Sequence, residues 1–179
     1  MSILFGPVRQ LGYVVRDLEA AMAHWSGVMG IGPFFHLDHT RLIDFRYKGE
    51  PSDMVISAAF AQCGSMQIEL IQQHNDAPSM YRDFLAEGRE GLQHIAFWAE
   101  PERYDTLLAK AKESGYTVCM SAATIDATGR LVYFEQHGHA GTVVELSCLT
   151  PAKKNLFGSV AEAGNNWDGR DPIRRLKSI

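Results

Sequence analysis

Leu92-Gln-His-Ile-Ala-Phe-Trp98 is an apolar run of strand length with one imidazole in it, and Val8-Arg-Gln-Leu-Gly-Tyr-Val-Val15 is its counterpart near the start of the chain. Each run opens the same series of elements. After residues 8–15, Asp17 is placed to cap a helix in which Leu18, Met22, Trp25 and Met29 recur at helical spacing, and Gly30 closes it. Pro33 to Leu37, a stretch near Leu42 to Tyr47, Met54 to Ala61 and a last strand, Met66 to Ile71, follow, and several of these runs, punctuated by Gly, Pro and Asp, read as strands. After residues 92–98, Pro101 and Glu102 suit a first helical turn, Tyr104, Leu107, Leu108 and Ala111 form the buried stripe, and Gly115 ends the helix. Tyr116 to Met120, Leu131 to Glu135 and Thr142 to Ser147 read as three strands. Each half is a strand, a helix and three strands, a βαβββ module, and the expected fold is α+β.

Superposing the halves places Gln10 on His94 and Glu69 on Glu145. Glu69 lies between Ile68 and Leu70, and Glu145 between Val144 and Leu146. Side chains alternate faces along a strand, so if these neighbours enter a core, both carboxylates point to the opposite, concave face. Gly12 and Ala96, two residues beyond Gln10 and His94, leave room there. A lone Glu in a strand is usually a solvated side chain, and a lone His usually satisfies one hydrogen bond. Four polar residues at equivalent points of a repeat read differently. Carboxylates inside a concave sheet are costly unless a cation or donor compensates them, and a divalent metal held by one imidazole nitrogen and three side-chain oxygens does so directly.

At these residues the chain resembles the vicinal oxygen chelate superfamily, which includes glyoxalase I, methylmalonyl-CoA epimerase, extradiol dioxygenases and bleomycin-resistance proteins. The resemblance covers roughly residues 7–150 and is carried by Gln10 to Glu19, Met66 to Leu70, Phe84 to Gly88 leading into Gly91 to Phe97, and Val143 to Leu146. It implies one domain of two modules, 7–73 and 91–150, joined by a helix near 77–88. Together they form a curved, mostly antiparallel sheet around a concave metal site. The implied metal ligands are Gln10, Glu69, His94 and Glu145, for a divalent ion such as Zn, Ni, Co, Mn or Mg. This donor set is similar to that of the zinc-type glyoxalases I, whereas Ser79 to Gly91 is more like the epimerases. Extradiol dioxygenases use two His and one carboxylate for iron, and this set has one His.

The implied activity is a metal-dependent lyase or isomerase (epimerase) that abstracts a proton next to a carbonyl or thioester of a small-molecule substrate. Glu145 is the leading base and Glu69 its symmetric partner. Epimerases instead use a separate Glu, for which Glu50 or Asp53 are the available residues. The reading from another class is a non-catalytic binding protein of the bleomycin-resistance type, motivated by Phe34, Phe35, Tyr47, Phe60, Trp98, Tyr133 and Phe134.

Composition narrows the partners. Seventeen basic against 21 acidic residues give a net charge of −4, which argues against a general nucleic-acid binder. No apolar run approaches the roughly 20 residues that span a bilayer, and no signal-peptide pattern opens the sequence. Three cysteines without CxxC spacing argue against a disulfide framework and for the cytoplasm. A homodimer is expected. His36 and His39 read as pocket lining or, preferably, as a solvated strand and turn, and His74, His137 and His139 read as loop residues. Residues 151–179 read as a partly ordered C-terminal extension, with Phe157 and Trp167 available to anchor it.

Overall fold

The computed structural model describes residues 1–124, 129–135 and 143–176. The first half contains β1 (Gln10–Val14), α1 (Leu18–Gly27), β2 (Phe34–Arg41), β3 (Ile43–Tyr47), β4 (Glu50–Pro51), β5 (Val55–Cys63) and β6 (Met66–Gln73). The helix α2 (Met80–Ala86) leads into the second half: β7 (Gly91–Ala99), α3 (Pro101–Glu113), β8 (Thr117–Ala123), β9 (Arg130–Glu135) and β10 (Val143–Cys148). A further helix, α4 (Pro151–Asn165), and a short strand, β11 (Ile173–Arg175), complete the chain. His137, His139 and Thr142 lie outside the described residues.

All eleven described strands join one curved, unclosed sheet in the order β11-β2-β5-β6-β1-β7-β10-β9-β8-β3-β4. Its two halves meet where β1 pairs antiparallel with β7, Gln10 opposite Ala96 and Gly12 opposite His94. Outward from that seam the halves repeat each other. β1 runs parallel to β6 with Gly12 opposite Glu69, and β7 runs parallel to β10 with Ala96 opposite Glu145. The hydrogen-bond register therefore relates Gln10 to His94, Gly12 to Ala96 and Glu69 to Glu145 by a local twofold axis.

The helices explain which way the sheet faces. Asp17 accepts a hydrogen bond from Ala20 N and caps α1, whose Leu18 and Met22 pack with Ile68 and Leu70 of β6. Pro101 starts α3, whose Tyr104, Leu107 and Ala111 pack with Phe97, Val144 and Leu146. Both cores lie on the outer face, so the residues alternating with them line the inner face. The helix α1 ends at Gly27, so Met29, which the spacing assigned to its stripe, is half exposed beyond the helix.

Two segments depart from the simple repeat. The stretch 42–47 is a strand, but β3 pairs with β8 of the other half and forms a hairpin with β4. Since β2 ends at Arg41 and β3 starts at Ile43, the two far ends of the sheet come together at Leu42, and this draws the sheet into a deep trough. The C-terminal residues, expected as a loose extension, form a second layer. Thr150 caps α4 through its hydroxyl, and Phe157 and Val160 are buried against Ala58 and Phe60 of β5 on the inner face. Each such side chain contributes about 1.5–3 kcal/mol by leaving water. Trp167 covers Gly32, and β11 adds parallel to β2 at the sheet's edge.

Candidate metal centre

The inner face of the four central strands carries the polar residues of the repeat. Glu69, His94 and Glu145 converge, with His94 Nε2 3.4 Å from Glu69 Oε2 and 3.3 Å from Glu145 Oε2. His94 is completely buried and Glu145 nearly so, while Glu69 keeps a small opening. These separations are long for N–H···O hydrogen bonds, and neither His94 Nε2 nor Glu145 Oε2 has a partner among the described residues. They match the edge of a tetrahedron with bonds of about 2.1 Å, roughly 3.4 Å. Two carboxylate oxygens and an imidazole nitrogen, all within 4.8 Å of one another, are a donor set that suits a divalent cation.

The surroundings prepare His94 for that role. Its Nδ1–H donates to the buried Gln93 Oε1 at 2.8 Å, which leaves Nε2 as the nitrogen facing the carboxylates. The ring lies directly on the backbone of β1. A Cβ built on Gly12 would stand 1.8 Å from His94 Cε1, so only glycine fits under the imidazole. Tyr133 packs edge-on against the ring at 5.0 Å, and its hydroxyl accepts from Tyr81 at 2.7 Å.

Without a cation the cluster holds charge unevenly. Burial pushes the His94 pKa down, but contact with Glu145 and Glu69 outweighs it and raises it to about 9. Burial and the charge of Glu145 raise Glu69 despite its contact with His94. For Glu145, burial is outweighed by His94, then by Lys153 of α4 and the Tyr133 hydroxyl, which together hold it below its ordinary range. Lys153 reaches the inner face by donating to Ser147 Oγ at 2.6 Å, two residues along β10 from Glu145.

Gln10, the fourth expected donor, is buried on the same face, where its Nε2 donates to Gln67 Oε1 at 2.7 Å. That bond occupies its NH2 group and leaves its carbonyl oxygen as the lone-pair donor. Gln67, Gln93 and Lys153 were not singled out as site residues in the sequence, and Tyr133 was named only among the aromatic residues of the binding-protein reading, although Gln67 precedes Glu69 by two and alternation alone puts it on the same face. Glu50 and Asp53 are exposed, and β4 lies at the sheet's edge, away from the central strands. The aromatic residues are largely committed to packing. Phe34 and Phe134 are in the outer cores, while Phe60 and Trp98 pack on Phe157 of α4. A cavity of about 230 Å³ lies under α4, lined by residues including Arg9, Gln62, Trp98 and Lys154. One of its lining residues, Gln62, is paired with Gln67 across β5 and β6.

The family model for the glyoxalase/bleomycin resistance protein/dioxygenase superfamily matches residues 9–134. The chain belongs to this superfamily. Solved structures of the same fold include methylmalonyl-CoA epimerase from Mycobacterium tuberculosis, 16% identical with a TM-score of 0.59 over 85% of this chain and 94% of that one. A selenomethionine methylmalonyl-CoA epimerase is 19% identical with a TM-score of 0.55, covering 83% and 98% of the two chains. A hypothetical protein from Bacillus halodurans C-125 is 18% identical with a TM-score of 0.56, covering 79% and 92%. Comparison of the sequence with curated proteins finds no match. The superfamily model stops before β10, so Glu145 and the whole of α4 lie outside the matched residues. No described helix is long and apolar enough to cross a membrane, and the three cysteines are unpaired.

Proposed function

We propose that this superfamily member is a divalent-metal-dependent lyase or isomerase that abstracts a proton from a carbon next to a carbonyl or thioester, as glyoxalase I and methylmalonyl-CoA epimerase do. The observation that carries the reading is the buried Glu69–His94–Glu145 cluster, whose atoms are spaced as metal ligands and in which His94 Nε2 and Glu145 Oε2 have no hydrogen-bond partner among the described residues. Glu69, His94, Glu145 and the carbonyl oxygen of Gln10 would hold the ion. When bound, the ion polarises the substrate oxygen and favours the enolate that proton removal creates.

The protein's own groups supply the proton chemistry. Glu145 and Glu69 flank His94 at matching distances and are related by the local twofold axis, so they address opposite sides of a molecule held between them. One carboxylate removes the carbon-bound proton, and the other is placed to return a proton from the far side. Gln93 fixes the imidazole, and Gly12 lets it lie flat on β1. The trough and α4 shield the cluster from bulk water, which strengthens each charge–dipole contact inside it. The epimerase neighbours support the isomerase branch, and the Gln, Glu, His, Glu donor set supports the lyase branch.

The test is deuterium wash-in from heavy water over a panel of α-keto hemithioacetals, acyl-CoAs and hydroxyketones, with and without added metal. Glu145→Gln is expected to lower exchange by about 10²–10⁴-fold, the usual contribution of a positioned base, with the fold unchanged by circular dichroism. Wild-type protein purified without chelator and found free of divalent metal would sink the proposal. Tight ligand binding that survives Glu145→Gln without any proton exchange would favour the binding-protein reading instead.

A further inference from the structure

On the outer face of the sheet, a second group of donors comes together that the trough chemistry does not use. Asp38, His39 and His74 each offer one ligand atom, and these atoms lie within 4.8 Å of one another. The hydroxyl of the buried Ser57 sits among them. It donates to Asp38 Oδ1 at 2.8 Å and accepts from His74 Nε2 at 2.7 Å and from the backbone N–H of His39 at 3.0 Å. His39 Nδ1 donates to the same Asp38 oxygen at 2.7 Å, and the two imidazoles stack at 4.0 Å.

Consecutive residues of a strand face opposite sides, so Asp38 and His39 should not share a site. The strand β2 breaks its register between Leu37 and Thr40, so that two residues oppose Ser57 alone, and His39 takes a left-handed φ of 43°. A β-branched or bulky side chain avoids that region, and a bulge of this kind re-aims side chains. Here it turns both donors toward His74.

His36 supplies an independent observation. It is 3% exposed, and its Nδ1 accepts from Arg175, so the proton sits on Nε2. That N–H has no partner among the described residues, and Asp38 Oδ1 stands 3.9 Å from it. A buried N–H aimed at the cluster without an acceptor marks room for a further oxygen.

We propose that Asp38, His39 and His74 form a second divalent-cation site, for a borderline transition metal such as Zn²⁺, on the outer face of the sheet. Two imidazole nitrogens and one carboxylate oxygen are a donor set for Zn²⁺, Co²⁺, Ni²⁺ or Cu²⁺ rather than Mg²⁺ or Ca²⁺. A hydrogen bond now holds His39 Nδ1 at 2.7 Å from Asp38 Oδ1, tighter than the roughly 3.4 Å edge of a metal tetrahedron, so the group opens slightly as the cation replaces that proton. Each imidazole would ligate as a neutral ring, its one proton carried on the nitrogen away from the cation. The solvent molecule that completes the shell is the acceptor His36 Nε2–H lacks.

This site is separate from the trough. His74 follows β6 five residues after Glu69, about 17 Å along the strand and on the opposite face. Equilibrium dialysis of tag-free protein against buffered Zn²⁺, read by elemental analysis, tests it. Wild type is expected to take up about two equivalents, and both His39→Ala/His74→Ala and Glu69→Gln/Glu145→Gln about one each. His74→Gln, which keeps a hydrogen-bonding side chain at the surface, should behave as the double histidine variant does. Equal zinc uptake by wild type and the two outer-site variants overturns the proposal. One equivalent that survives Glu69→Gln/Glu145→Gln but is lost in His39→Ala/His74→Ala would establish the outer site and reject the trough as the metal centre.

Discussion

In the first half of the sheet, β1 offers an amide, Gln10, followed two residues on by Gly12; in the second, β7 offers an imidazole, His94, followed by Ala96. The backbone register around the two pairs is the same, and the glutamates beyond them are equivalent. The side chains are not. His94 reaches across the seam and lies on Gly12, whereas Gln10 stays beside its own neighbour and binds Gln67. A duplicated scaffold has thus become a site with one strong nitrogen donor and a bare strip of backbone opposite it. Symmetry sets where the donors are, and the departures from symmetry decide what each one does.

The largest expected effect comes from filling that bare strip. Gly12→Ala puts a methyl group within bonding distance of the imidazole, which has no space to retreat in a fully buried site. A loss of about 1–3 kcal/mol is expected from overpacking, together with loss of bound metal as His94 swings away from Glu69 and Glu145. The equivalent change in the other half, Ala96→Gly, should cost only about 1 kcal/mol of backbone entropy and keep the metal. Chemical denaturation and metal analysis of the two variants measure the difference. Equal behaviour would mean that the imidazole does not rest on β1 as described.

A middle-sized effect separates the groups that support the two donors. Gln93 orients His94 through its ring N–H, so Gln93→Leu should weaken metal binding by about 10–100-fold. Gln67→Leu leaves His94 untouched and removes only the partner of Gln10, so its effect on affinity should be several times smaller. Competition with a chromophoric chelator ranks the two. If Gln67→Leu is the more damaging, the amide half of the site holds the ion.

The repeat and the placement of Glu69 and Glu145 were legible because both rest on local regularities. Ile68, Leu70, Val144 and Leu146 alternate with the carboxylates, and the outer cores take the apolar side. What was not legible depends on contacts between distant residues. Gln93 adjoins His94 in sequence, yet alternation would place it on the opposite face; β7 breaks its register against β1 at Gln93, between the pairs Gly12–His94 and Tyr13–Leu92, and that bulge lets it reach Nδ1. The pairing of β3 with β8 joins the two halves, and no pattern within residues 42–47 announces it. The turn-rich stretch from Ala161 to Arg170 hid the last turn of α4, because Gly164 is tolerated where the helix crosses close to Gln62. Asp38 and His39 share a face only because a bulge suspends the alternation on which any reading of a strand relies.

The smallest expected effect comes from making the two halves alike at their donors. Gln10→His gives β1 the residue that β7 carries and breaks the hydrogen bond to Gln67, which should cost about 1 kcal/mol of stability. If the Gln10 carbonyl oxygen is a ligand, replacing it by a nitrogen makes the donor set two imidazoles and two carboxylates. Such a set favours Zn²⁺, Co²⁺ or Ni²⁺ over Mg²⁺ and Mn²⁺, so the ratio of zinc to manganese affinity should rise. If Gln10 serves only to hold Gln67, that ratio stays fixed while stability falls. Titrating both metals into wild type and variant therefore decides whether the buried amide of the first half is a ligand or a strut.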